Sequence, residues 1–178
     1  HQPGLIMADR TVGDDFEDFT TPEQMIPDAP PGGTWESCLT MGHSWKYVPG
    51  DQYKSTGELI RMLVEVVSKG GNLLLGTGPT PQGTLTGEAL TRMREIGDWM
   101  ALNAEAIYGT RPVAPYREGE VFFTRKGEWI YAITFAEGPP AEVVLRGLGP
   151  WEDAPVFLLG HSRPLRWQRQ DGEVRVFL

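Results

Sequence analysis

Cysteine is nearly missing from this chain. Cys38 is the only one, so no disulfide can form within it. With no histidine near it in sequence, Cys38 reads as a small buried apolar residue. Basic residues are also short, 16 Lys and Arg against 24 Asp and Glu, for a net charge of -8. That deficit argues against nucleic acid and anionic membranes as partners, since both need a basic face. No apolar run approaches the ~20 residues that cross a bilayer, and no signal peptide is visible. The three histidines, His1, His43 and His161, lie too far apart for metal-ligand spacing, so neither a metal site nor a cofactor is expected. Gly76-Thr77-Gly78 runs into Pro79 without the rest of a dinucleotide fingerprint, which argues against a phosphate cradle there.

Turn chemistry is what the chain has in plenty, with 22 Gly and 15 Pro in 178 residues. That length supports one well-filled domain or two small ones. Leu5-Ile6-Met7-Ala8 reads as a short buried strand, followed by a long Asp-, Pro- and Gly-rich loop from Thr11 to Thr34. Ser37–Met41 reads as a second strand. Ser55-Thr56-Gly57-Glu58 is a capping box, and Leu59, Ile60, Leu63, Val64 and Val67 recur behind it at helical spacing until Gly70-Gly71. Leu73-Leu74-Leu75 forms a third strand. A helix is predicted over 88–106, with Leu90, Met93, Ile96, Gly97, Met100 and Ala104 on its apolar face.

Strand, loop, strand, helix, strand, helix is the order of a βα-barrel or an open parallel sheet. The pattern changes after Tyr108. Residues 112–119 read as a linker, and hairpin-like strands follow at 121–124, 129–135, 143–145, 156–159, 165–167 and 174–178.

Two glutamates stand near aromatic residues. Glu36 directly follows Trp35 at a strand entry, and Glu23 lies in Thr21-Pro22-Glu23-Gln24. A glycosidase needs two carboxylates facing one glycosidic bond, one to donate a proton and one to attack or to activate water. An acid desolvated by a tryptophan has a raised pKa that suits proton donation. Trp35, Trp45 and Tyr47 offer flat faces to the C–H side of a sugar ring, and His43 offers a hydrogen bond to a hydroxyl. Arg10 closes the first strand, where it can clamp a hydroxyl or a carboxylate. Against this, most carboxylates only keep a surface wet and most tryptophans are core. Asp51 after Pro49-Gly50 reads as a turn residue.

These stretches together resemble the C-terminal part of an α-L-fucosidase of glycoside hydrolase family 29. The matching segments are Gln2-Pro3-Gly4-Leu5-Ile6 with Asp9-Arg10, Thr21-Pro22-Glu23-Gln24 with Ile26-Pro27, Trp35-Glu36-Ser37-Cys38, and Ser44-Trp45-Lys46-Tyr47. Val67 to Leu75, Gly78-Pro79-Thr80 with Gly83, and Asn103 to Pro112 complete the set in the family's order. The resemblance implies an α/β fold: the last strands and helices of a (β/α)8-like (TIM) barrel over 1–111, a linker over 112–119, and an antiparallel β-sandwich over 120–178 that lacks its last strand.

The resemblance further implies a retaining mechanism on terminal α-L-fucose, with Arg10 at the fucose site. The acid/base is either Glu23 or Glu36, since family members differ between these two positions. The tryptophan beside Glu36 and the rigidity of a strand end favour Glu36. The family's nucleophilic aspartate and paired sugar-binding histidines have no counterpart here, and Gly76 stands where an asparagine is common. A start at His1 and the missing half-barrel point to a fragment. Its open strand edge then calls for a cover: the N-terminal half of the barrel, in the same or a companion chain, or a second copy. The expected substrate is a fucosylated oligosaccharide or glycoconjugate. The alternative is a carbohydrate-binding or structural fragment inactive on its own.

Overall fold

A computed structural model describes residues 3–9, 17–136, 138, 140–146 and 154–178. The chain forms two compact units, 1–98 and 99–178.

Unit 1 is a parallel array. Strands β1 (Glu36–Thr40) and β2 (Asn72–Gly76) pair in parallel, from Glu36 opposite Asn72 to Thr40 opposite Gly76. On the other flank of β1 the chain runs parallel again, through bridges Thr20–Trp35 and Glu23–Cys38. Glu36 N donates to Thr20 O at 3.0 Å, and Gln24 N donates to Cys38 O at 2.9 Å. One step further out, Ala8 bridges Phe19 in parallel. The end of the expected long loop is therefore extended backbone held by its neighbours' amides, without an apolar pattern of its own.

The expected buried strand at Leu5–Ala8 is reduced to that one bridge. Leu5, Ile6 and Met7 are 57%, 71% and 45% exposed. A single bridged residue carries too little pairing to fix a strand, and no described element covers these side chains.

Helix α1 (Thr56–Ser68) begins as its sequence dictates. The Ser55 hydroxyl accepts from Glu58 N, while the Glu58 carboxylate accepts from Ser55 N at 2.7 Å. It ends at Gly70, whose φ of 83° favours glycine. Leu59 packs with Met41 and Ala89, and Val64 and Val66 are fully buried.

Helix α2 (Gly87–Asn103) continues into a 3-10 turn, Ala104–Ala106, and the two together cover the expected 88–106. Its apolar face is less covered than the periodicity predicts. Ala89 alone is buried on the helix, and Leu90 and Met93 are exposed.

Unit 2 is two antiparallel sheets. β3 (Arg111–Glu118), β4 (Val121–Lys126) and β5 (Trp129–Thr134) form one. The second holds β6 (Glu142–Leu145), β7 (Val156–Phe157), β8 (Pro164–Gln170) and β9 (Glu173–Phe177) in the order β6-β9-β8-β7. Val121 and Phe123 from the first meet Leu145, Val174 and Val176 from the second in one core, which makes the pair a sandwich.

The expected linker at 112–119 is instead mostly strand β3. Pro112 and Pro115 suggested a linker, yet β3 is an edge strand, where a residue without an N–H is tolerated. Its register with β4 is irregular between Pro112 and Arg117. Unit 2 also keeps a cavity of about 580 Å³, lined by residues such as Trp129, Tyr131, Phe157 and Leu165. None of the candidate site residues lines it.

Candidate active site

In parallel α/β sheets, functional groups gather where the strands' carboxyl ends release their loops. In unit 1 those ends are Thr40 and Gly76. The loop from Met41 to Lys54 is built tightly over them. Lys54 Nζ donates to Thr40 O at 2.7 Å and to Gly42 O at 3.2 Å, and Lys54 N donates to Met41 O. Gly76 lets the loop come close, since a Cβ there would lie 2.9 Å from the Trp45 ring and displace it. A Cβ on Gly78 would meet Tyr47 N at 2.1 Å. The loop thus rests directly on the end of β2. The Trp45 ring against Gly76 is itself 41% exposed.

Asp51 ties this loop from within. Its carboxylate accepts from His43 N at 3.2 Å and from Gln52 N at 2.9 Å, with His43 Nδ1 3.4 Å away. Burial alone would push the Asp51 carboxyl up, but donation from His43, Gln52 and Ser44 outweighs it and holds the group below its ordinary value. The Asp51 side chain keeps 11% exposure against 78% for His43, so the imidazole reaches into solvent from an anchored backbone.

The two candidate acids lie at different heights. Glu23 is level with Cys38, and the next side chain, Gln24, bonds Thr40 Oγ1 at 3.1 Å near the carboxyl end of β1. Gln24 holds a φ of 54°, a left-handed conformation uncommon for a residue with a side chain. Such outliers gather at functional sites. Glu36 is the first residue of β1, at its amino end opposite Asn72. At ~3.3 Å per strand residue, it lies about 7 Å below the level of Glu23.

Trp35 requires a correction. Its ring is 1% exposed, its indole N–H donates to Lys69 O at 3.3 Å, and a Cβ on Gly71 would touch it at 2.5 Å. It is a core residue and offers no face to a sugar. Adjacent residues of an extended chain point to opposite sides, so this ring does not desolvate Glu36 either. Arg10 lies outside the described residues. Unit 1 therefore sets Trp45 and His43 on the loop over the strands' carboxyl ends, Glu23 level with the middle of β1, Glu36 at its amino end, and Trp35 in the core. Among the described residues no group of three or more His, Cys, Asp or Glu could hold a metal ion. No described helix is long and apolar enough to cross a membrane.

A parallel α/β array with a partly exposed aromatic loop over its carboxyl ends presents that loop where α/β folds place their functional groups. Comparison with known proteins makes this specific. The α-L-fucosidase family model matches residues 1–105. The plasma α-L-fucosidase of Rattus norvegicus is 39% identical over 145 residues, 75% of this chain and 31% of that protein. The tissue α-L-fucosidase of Homo sapiens is 31% identical over 157 residues, 84% of this chain and 34% of that protein. Among solved structures, the Thermotoga maritima α-fucosidase in complex with fucose superposes with a TM-score of 0.83 at 29% identity, covering 96% of this chain and 40% of that one. The chain belongs to the α-L-fucosidase family, and it spans about a third of the length of the curated relatives it matches.

Proposed function

We propose that this chain supplies the acid/base half of a retaining α-L-fucosidase acting on terminal α-L-fucose of glycoconjugates. Unit 1 is then the last part of a (β/α)8-like barrel, and the sandwich follows from β3. The observation that supports the assignment is the height of Glu23, level with the middle of β1 and so nearer its carboxyl end than Glu36, and followed by the left-handed Gln24. Glu36, at the amino end of the same strand, is the weaker candidate on that ground.

In this mechanism a carboxylate nucleophile, outside this chain, attacks the anomeric carbon while the Glu23 carboxylic acid gives its proton to the glycosidic oxygen. The bond to the leaving alcohol breaks as the glycosyl–enzyme bond forms. Glu23, now a carboxylate, takes a proton from water as that water attacks the anomeric carbon and frees the nucleophile. Trp45 faces the C–H side of the ring, His43 bonds a hydroxyl, and Arg10 holds the substrate. The family match over residues 1–105 supports the substrate class. Without the nucleophile the chain binds sugar and does not turn it over, since the two carboxylates act as a unit.

Glu23→Gln and Glu36→Gln, each in a polypeptide carrying the complete site, test the assignment with aryl fucosides. Glu23→Gln is expected to lower kcat by about 10²–10⁴, least for the best leaving groups, while Glu36→Gln keeps activity. Undiminished turnover in Glu23→Gln would discard the acid/base assignment. Faster cleavage of aryl galactosides than of aryl fucosides would discard the substrate.

A further inference from the structure

We infer that Asp51 is a positioning residue for the sugar-facing loop, holding residues 42–51 in the shape that lays Trp45 on the end of β2. The inference deepens the fucosidase reading and rests on it for the identity of the ligand.

The loop has two anchors and Trp45 lies between them. At one anchor the Asp51 carboxylate gathers the amides of His43 and Gln52, with the His43 ring beside it. The carboxylate approaches so closely that a Cβ on Gly42 would lie 2.3 Å from Asp51 Oδ2. At the other anchor the Lys46–Tyr47 backbone rests on Gly78.

What the anchors hold is mostly turned to solvent. His43, Trp45, Lys46 and Val48 are all exposed. Ordering an exposed segment costs backbone entropy, and this one returns little burial. The arrangement is explained if the ordered product is itself useful: a half-exposed indole set against a glycine, in the same loop as a projecting imidazole. Preorganisation of that kind lowers the entropic cost of binding a ring. Asp51 has its oxygens occupied by the loop's own donors, so it acts through Trp45 and His43 and does not touch the sugar.

The test is the ¹⁵N–¹H spectrum of the tryptophan indoles in the full chain, with the Trp45 peak identified by its loss in Trp45→Phe. Asp51→Ala is expected to shift or broaden the Trp45 peak and leave the Trp35 peak, bonded to Lys69 O, in place. Asp51→Asn keeps the shape but exchanges one acceptor oxygen for a donor, so a smaller Trp45 shift is expected. If Asp51→Ala does not fold, Asp51→Asn decides. A Trp45 peak at its native position in the folded variant overturns the inference, as does equal movement of the Trp35 peak.

In a polypeptide with the complete site, KM for an aryl fucoside is expected to rise about five- to tenfold in Asp51→Asn with kcat within about twofold. A fall in kcat at constant KM overturns the positioning role. A Trp45 peak that answers to Asp51 but not to added L-fucose leaves Asp51 as the loop's anchor and discards the fucosidase reading instead.

Discussion

Substituting Trp35 separates a structural ring from a sugar platform. The ring is 1% exposed and its N–H is bonded to Lys69 O at 3.3 Å. Trp35→Phe keeps a ring in place but removes that hydrogen bond, at a cost of about 1 kcal/mol. It also removes about two carbons of buried surface, roughly 0.8 kcal/mol each. Together these give about 2–3 kcal/mol. Trp35→Ala empties the site, which for a buried tryptophan costs about 3–5 kcal/mol. That approaches the whole stability of a small domain, about 5–15 kcal/mol.

Urea unfolding read by circular dichroism at 222 nm follows α1 and α2, and so reports on the unit that contains Trp35. With a denaturant slope of about 1–3 kcal/mol/M, Trp35→Phe should lower the midpoint by about 0.7–3 M. Under conditions where the variant stays folded, KM for an aryl fucoside in the complete enzyme should hold within about twofold. A platform role predicts the reverse pattern. An unmoved midpoint together with a raised KM would refute the placement of Trp35 in the core and restore it to the sugar site.

Burial first, and then the Glu105 carboxylate that accepts its hydroxyl at 2.6 Å, push Tyr131 up from 10.0 to about 12. The fold favours the neutral phenol, so this contribution is complete below about pH 10 and is lost as pH rises towards 12. Absorbance titration near 295 nm should show a tyrosine component near 12 that Tyr131→Phe removes. Ser55→Ala should cost about 1 kcal/mol of stability by opening the cap of α1. The Ser55 hydroxyl, and then its N–H, hold Glu58 below 4.5. The cap's electrostatic contribution is therefore present above that value and lost as pH falls through the depressed one. Urea midpoints across the acid range should flatten in Ser55→Ala.

The elements that were legible in the sequence are those whose cause is local. Ser55 and Glu58 cap a helix start within four residues, and Gly70 ends the same helix, so α1 could be drawn before any contact was known. The apolar run of β2 announced itself likewise. What stayed hidden depends on partners far away in sequence. Residues 18–24 are extended because Thr34 and Cys38 supply acceptors and Glu36 and Cys38 supply donors. β3 is a strand because β4 lies beside it, whatever its prolines suggest. Asp51 reads as a turn residue until the amide of His43, eight positions earlier, is seen against it.

Trp35 and Glu36 teach the same lesson about a site. Adjacency in sequence suggested that one desolvates the other, whereas an extended backbone sends neighbours to opposite sides. The pairs that do meet on one side are separated in sequence, as Gln24 is from Thr40 and Trp45 from Gly76.

The exposed apolar groups of unit 1 bear on what the proposed enzyme needs. Parallel strands are ordinarily covered on both faces. Here β2 pairs with β1 alone among the described strands, Leu74 on β2 is 43% exposed, and Ile6 is 71% exposed. At about 25 cal/mol per Å² of apolar surface, covering such side chains is worth about 1.5–3 kcal/mol for each one fully buried. On the proposed reading, the surface that covers them is the rest of the barrel, in the same or a companion chain. The nucleophile would arrive on that surface, so closing the sheet and completing the pair of carboxylates would be one event. Catalysis and the stability of this array should then rise together when that surface is supplied, and neither should rise alone.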